Sequence, residues 1–91
     1  MKINRFEWDA WNAGHIAEKH GLSPGDAEEV FSSRPVIRKV RGGRFAAYGQ
    51  TEEGRYLTVI FHLKPGGIVR VVTARDMNRW ERRYYSQRRR N

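Results

Sequence analysis

The reactive side chains of this 91-residue chain are three histidines and four tyrosines, set among eighteen lysines and arginines and ten acids, with no cysteine. Its chemistry must therefore be built from imidazole, phenol, carboxylate and guanidinium. Without cysteine there is no disulfide framework, no thiolate nucleophile and no Cys-type zinc site, so redox chemistry is not expected. His15 and His20 are five residues apart, roughly 140° around a helix, a spacing that does not bring two imidazoles to one face as paired zinc ligands. Lys19-His20-Gly21 admits two readings. Cations at a helix end favour the carboxyl terminus of the helix dipole. A histidine beside positive groups equally suits RNA cleavage, in which a base frees the ribose 2′-hydroxyl and cations stabilise the charge developing on phosphorus.

Other constellations carry less. Glu28 and Glu29 are neighbours in a helical stretch and point apart, which reads as solvated charge and not as a paired acid and base. No Ser-His-Asp set is legible. The glycine-rich turns lack the lysine and helix that follow in a phosphate loop, so they read as hairpin turns, and nucleoside triphosphate binding is not expected.

Charge gives the broadest indication of a partner. A net charge of +8 and an isoelectric point near 10.6 attract polyanions through phosphate neutralisation and counterion release. Between Asn78 and Asn91 six arginines face a single acid, more than solubility requires, which points to RNA or an acidic partner. Tyr84 and Tyr85 have the chemistry to stack on unpaired bases, although Tyr84, at helical spacing from Trp80, is as readily a buried residue. The start, Met1-Lys2-Ile3-Asn4-Arg5, lacks a hydrophobic signal core, and no apolar run reaches spanning length. A cytoplasmic protein away from membranes is the expectation.

The elements that must position these groups follow from capping residues and periodicity. Asp9 caps a first helix running to His20, with Gly21 as its left-handed stop, and Trp8, Trp11 and His15 form its stripe. Ser23, with Pro24 at the first position and Asp26 three residues on, starts a second helix that buries Ala27, Val30 and Phe31 and ends at Ser32-Ser33-Arg34-Pro35. From Val36 the residues become β-branched and aromatic, broken at Gly42-Gly43, Glu53-Gly54 and Pro65-Gly66-Gly67, which predicts four antiparallel strands in a meander. The third has Leu57, Val59, Phe61 and Leu63 on a core face and Tyr56, Thr58, Ile60 and His62 on a mostly polar one. The fourth, Ile68 to Ala74, reads as a central strand covered on both faces. Within it Arg70 needs a reason, and in a regular strand Arg70 and Arg75 point to opposite faces. Met77, Trp80 and Tyr84 then define a C-terminal helix, followed by a mobile arginine-rich tail at 86–91. The fold class is thus α+β, as one domain over 1–91: two N-terminal helices, a four-stranded antiparallel sheet and a C-terminal helix. Trp8, Trp11, Phe31, Phe61 and Trp80 are its expected anchors.

Several of these segments together resemble one family. Phe6-Glu7-Trp8-Asp9, Lys19-His20-Gly21, Gly43-Arg44-Phe45 running to Tyr48-Gly49, and Val72-Thr73-Ala74-Arg75 with Glu81-Arg82-Arg83-Tyr84 look like the BrnT toxins, in matching order over almost the whole chain. The resemblance implies a fold similar to the RelE/ParE toxins, metal-independent endoribonuclease activity without a cofactor, inhibition of translation, and neutralisation by a BrnA-like ribbon-helix-helix antitoxin. It further implies a heterotetramer that reaches operator DNA only through the antitoxin. Arg44, Arg75, Arg79 and Arg82 match basic positions of the family's motifs; Arg75 and Arg79 are expected to stabilise the phosphate and His20 or Tyr84 to transfer the proton, with Lys19, Arg44, Arg70, Arg82 and Arg83 as the expected RNA contacts. Asn12 departs from the commoner pattern, where many members have lysine, and so does Ile16, where many have asparagine. The alternatives to a ribonuclease are a basic nucleic-acid-binding module without chemistry and a protein-docking module.

Overall fold

Asp9 and Ser23 each open a helix by the same reciprocal device. In the computed structural model, which describes residues 2–90, the Asp9 carboxylate accepts from the Asn12 N–H while the Asn12 side chain accepts from the Asp9 N–H, starting α1 (Ala10–His20). Ser23 and Asp26 do the same for α2 (Pro24–Ser32), with Pro24 in the first turn, where its missing N–H has no intrahelical partner to lose. α1 stops at Gly21, whose φ of 63° lets the N–H groups of Gly21 and Leu22 return to the carbonyls of Ala17 and Ile16. The helix boundaries follow the sequence reading.

Strands β2 (Val36–Lys39), β3 (Phe45–Gln50), β4 (Tyr56–Lys64) and β5 (Ile68–Asp76) form the expected antiparallel meander, and α3 (Arg79–Arg90) follows. The expectation of a four-stranded, wholly antiparallel sheet is corrected by a further strand at the start of the chain. Arg5–Glu7 forms β1, paired in parallel with Ile68–Arg70, so the sheet has five strands, is mixed, and runs β1-β5-β4-β3-β2. Three residues are too few to display the alternation by which a strand is recognised, and the partner lies far along the chain.

β1 covers only the first part of β5, and α1 takes over where it ends. The Asn12 side-chain amide, only 4% exposed, donates to the carbonyls of Glu7 and Val71 at 3.0 and 2.9 Å. It thereby completes the ladder at an edge that would otherwise hold unpaired carbonyls. β5 also carries an irregularity. Ile60 pairs with Thr73 but Phe61 pairs with Val71, so Val72 is an extra residue opposite that step. This insertion changes the side-chain count, and Arg70 and Arg75 come to the same face of the sheet.

Both faces are covered. Under α1 and α2, Ile16, Val30, Leu57, Val59, Phe61, Val69 and Val71 form the main core, with Phe61 in ring contact with Phe31 at 5.2 Å and Phe45 at 5.6 Å. Gly49 lets α2 approach β3, since a methyl group there would lie 2.5 Å from Ser33 Oγ and 3.0 Å from Val30. Leu63, expected in the core, lies beyond it and is exposed. The face expected to be mostly polar carries a second cluster of Ala46, Tyr48 and Tyr85, with Tyr56, Ile60, Met77 and Tyr84 against it, because α3 packs there. Residues 86–90, expected in a mobile tail, continue the α3 helix, and Asn91 lies outside the described residues.

Of the three expected tryptophan anchors, one packs on the core and two are exposed. Trp8 precedes the Asp9 cap and packs against the main core, with its indole N–H donating to Glu28 at 2.8 Å, so it is not part of the helical stripe. Trp11 is 82% exposed and Trp80 is 46% exposed. Phe61→Ala is therefore expected to lower stability by about 3–5 kcal/mol, whereas Trp11→Ala should change it by no more than about 0.5 kcal/mol. Thermal melts of the two variants check this, and a large loss for Trp11→Ala would mean that α1 is packed differently.

Candidate functional site

The C-terminal arginines are positioned by one buried acid. Asn78 and Glu81 form a capping box at the start of α3, each side chain bonding the other's backbone N–H. The Glu81 carboxylate, 3% exposed, also accepts from Thr58 Oγ1 at 2.9 Å and from both terminal nitrogens of Arg75 at 2.8 and 3.0 Å. Burial pushes the Glu81 carboxyl up, but the bonds from Arg75, Asn78 and Thr58 outweigh it and hold the group below the ordinary glutamate range. Arg75, raised chiefly by its bond to Glu81, is thus gripped by a carboxylate of its own chain. Its guanidinium ties α3 to β5, with the side chain only 34% exposed.

The other expected site residues divide between two regions, one of which also includes Arg90. Arg79, Arg82, Arg83 and Arg90 line a groove of about 590 Å³ along α3, which includes none of His20, Arg75 and Tyr84. Arg82 lies 3.6 Å over the Tyr56 ring. Tyr84 is half-buried and meets Tyr48 at 5.6 Å and Trp80 at 6.1 Å, both edge-on. Arg38 lies over Tyr48, Trp80 and Tyr84 and donates to the Tyr48 hydroxyl. Basic and aromatic side chains thus alternate along this side of the molecule, the pattern by which single-stranded nucleic acid is held.

The second group surrounds the edge of β5. A cleft of about 320 Å³ is lined by Trp11, Asn12, His15, His62, Arg70, Val71 and Val72, and an adjoining one of about 230 Å³ by Trp11, His15 and Lys19 among others. Trp11, His15 and Lys19 are four residues apart along α1 and make its outward stripe. His62 pairs with Arg70 across β4 and β5. One step beyond the pairing of Phe45 with Phe61, the extended Arg44 comes opposite His62. Of the expected RNA contacts, Arg70 and Lys19 line these two clefts, whereas Arg44, exposed just before β3, lines neither.

Arg70 is held by Glu7 at 3.3 Å and Asp9 at 3.0 Å, both through Nη1. The Asp9 bond is the main cause raising its pKa. Glu7 is lowered mainly by a hydrogen bond from Lys64, and Asp9 by the Asn12 N–H and then by Arg70. His15 Nε2 lies 3.0 Å from Thr73 Oγ1. The His15 and His20 rings meet edge to face at 5.9 Å, closer than their spacing implies. Among the described residues, no three of His, Asp and Glu converge as metal ligands.

His62 was not singled out by the sequence reading. A signal for it exists, since His62 and Arg70 are equidistant from Gly66 in the β4–β5 turn, and a tight hairpin centred there pairs them. The extra Val72 that shapes the cleft wall has no such signal.

A family model described as the ribonuclease toxin BrnT of type II toxin-antitoxin systems matches residues 8–81. The chain belongs to the BrnT family. As a BrnT-family protein it is a ribonuclease toxin with a cognate antitoxin as partner. Among solved structures, the Brucella abortus ribonuclease toxin BrnT, determined at 1.1 Å, superposes with a TM-score of 0.69 at 22% identity, over 82% of this chain and 97% of that one. That likeness extends the family assignment to the fold. No curated protein sequence matches the chain. No helix is long and apolar enough to cross a membrane among the described residues.

The Glu81 arrangement generates a pH-dependent expectation. Glu81, Glu7, Asp9 and Asp76 all sit below their ordinary values of 4.5 or 3.8. Their stabilisation is complete above those values and is lost as pH falls through the lower folded ones. Melting midpoints of the wild type should therefore decline below about pH 4.5. Glu81→Gln should cost about 3 kcal/mol at pH 7, the low end for breaking a buried pair because Arg75 is partly solvated. Its midpoint should also decline less steeply in acid. An unchanged midpoint at pH 7 would show that α3 holds without this carboxylate.

Proposed function

We propose that this BrnT-family toxin cleaves single-stranded RNA without a metal ion, as a cytoplasmic enzyme, holding its substrate on the basic face formed by α3 and the neighbouring sheet. Family membership supplies the activity, and the observation that carries the choice of surface is the distribution of charge. Of eighteen lysines and arginines, only Arg55, Lys64, Arg70 and Arg75 make ion pairs among the described residues. The other arginines concentrate on α3 beside Trp80 and Tyr84, where guanidinium groups neutralise phosphates and rings stack on bases.

In this reading Arg79, Arg82 and Arg83 bind the backbone, Tyr84 and Trp80 meet bases, and Lys19, Arg44 and Arg70 extend the track toward the β5 edge. Arg75 acts through Glu81, fixing α3, and His20 supports His15. Imidazole and guanidinium groups provide proton transfer and charge neutralisation, the two tasks that phosphodiester cleavage requires. The cognate antitoxin is of the BrnA-like ribbon-helix-helix type. It covers this basic face in a heterotetramer and carries the contact with operator DNA.

Induced expression should arrest growth, and the purified protein should cleave single-stranded RNA in EDTA. The double variant Arg82→Ala, Arg83→Ala should weaken binding of an uncleavable RNA and flatten the dependence of log affinity on log salt by about 0.7 for each phosphate no longer neutralised. RNA binding without cleavage, with or without added divalent ions, would favour a non-catalytic binding module. An unchanged salt slope would place the RNA on another surface.

A further inference from the structure

The β5-edge cleft contains two imidazoles, a guanidinium and an exposed indole, and the packing of the fold accounts for little of this set. Trp11 could be replaced by a polar residue without loss to the core, since it is 82% exposed and contributes to neither hydrophobic cluster. His15 is oriented by Thr73 through Nε2, and no other hydrogen bond engages its ring among the described residues. His62 has no side-chain hydrogen bond among those residues and lines the cleft from the opposite, β4, side. Arg70 is fixed through Nη1 alone, which leaves Nε and Nη2 without protein partners there. Two carboxylates therefore aim a guanidinium while leaving its second edge open, the fork that a phosphate accepts.

We propose that this cleft is the reaction centre of the ribonuclease, with His15 and His62 as its acid-base pair, Arg70 on the scissile phosphate and Trp11 stacked on an adjoining base. The proposal rests on the ribonuclease reading and adds to it the place and the class of reaction. One imidazole takes the proton of the ribose 2′-hydroxyl, and the 2′-oxygen forms a bond to phosphorus. The bond from phosphorus to the 5′-oxygen breaks, and the other imidazole, protonated, gives its proton to that oxygen. The products are a 2′,3′-cyclic phosphate and a 5′-hydroxyl, so neither water, metal nor oxidant enters the step. Histidine suits both roles because its neutral and charged forms are both accessible near neutrality. The α3 groove then serves as the approach for the strand, and Lys19 flanks the cleft.

The test compares wild type with His15→Gln, His62→Gln and Trp11→Ala on a fluorescent single-stranded oligoribonucleotide in EDTA. Affinity is measured on the 2′-O-methyl form, and the ends of the products are analysed. Glutamine retains a hydrogen-bonding amide that can reach Thr73, so the His15 variant keeps its packing, and thermal melts verify it. Each histidine variant should cleave about 10²- to 10⁴-fold more slowly with affinity changed less than about threefold, and Trp11→Ala should weaken binding roughly tenfold. Wild-type products should end in 2′,3′-cyclic phosphate, and added imidazole should partly restore cleavage by His15→Ala and His62→Ala. Wild-type cleavage that persists undiminished in both folded histidine variants would overturn the cleft assignment alone. Absence of cleavage by wild type, with or without divalent ions, would overturn the ribonuclease reading and this centre with it.

Discussion

The attachment of α3 depends on a carboxylate that has been taken out of water. The helix carries six arginines and one acid, and that acid, Glu81, is the group it buries most completely together with Tyr85. An ionised carboxylate removed from solvent is strongly unfavourable unless its oxygens are satisfied. Here they accept from the two nitrogens of Arg75, from Thr58 and from the Asn78 backbone. One side chain therefore caps the helix, neutralises a sheet arginine and joins α3 to both β4 and β5. Without it, mutual repulsion among the remaining arginines and their affinity for water would oppose docking. The aromatic contacts of Tyr48, Trp80 and Tyr84 add area, and Arg38 and Arg82 cover rings on this face.

Acids elsewhere on the surface are committed in the same way. Glu7, Asp9, Asp76 and Glu81 are each bound to a lysine or arginine within the fold. Glu28 accepts from the Trp8 indole and Glu29 from the Glu52 N–H, so these two, read from sequence as solvated charge, also hold elements in place. Carboxylates are thus drawn into structural bonds while most guanidinium groups keep their hydration. A polyanion meets a surface on which eighteen lysines and arginines face ten acids, four of them already paired within the fold, which favours approach and binding through counterion release.

Local chemistry was legible where it acts over a few residues. The capping boxes at Asp9 and Ser23, the Gly21 stop and the four meander strands follow from side-chain geometry within a turn or from period-two alternation. What escaped depends on distant partners. β1 exists because β5 offers an edge, Val72 is extra only relative to β4, and the polar-looking face of β4 became a second core because α3 returns over it. The site divides in the same way. The basic positions Arg79, Arg82 and Arg83 were readable as a helix face, but Arg75, equally basic, turns inward because Glu81 lies one helical turn past Asn78. Large aromatic residues usually are buried, and sequence alone places Trp11 in the core on that ground. Its neighbour Asn12 faces the edge of β5, which rotates Trp11 outward.

That rotation changes the consequence of the departures from the family pattern. The sequence resemblance sets Asn12 and Ile16 against a lysine and an asparagine, and on an exposed face such changes would remove two polar contacts to RNA. In this fold both positions face inward, Asn12 completing the β5 edge and Ile16 fully buried in the main core. The outward positions are Trp11, His15 and Lys19, offset by one residue and sharing a stripe. Both positions therefore seat α1 against the sheet, while the groups α1 presents to solvent are supplied by the neighbouring positions. An amide at residue 12 suits the task, since it donates to two carbonyls and accepts from the Asp9 N–H at once, whereas an ammonium group has no acceptor with which to close the cap.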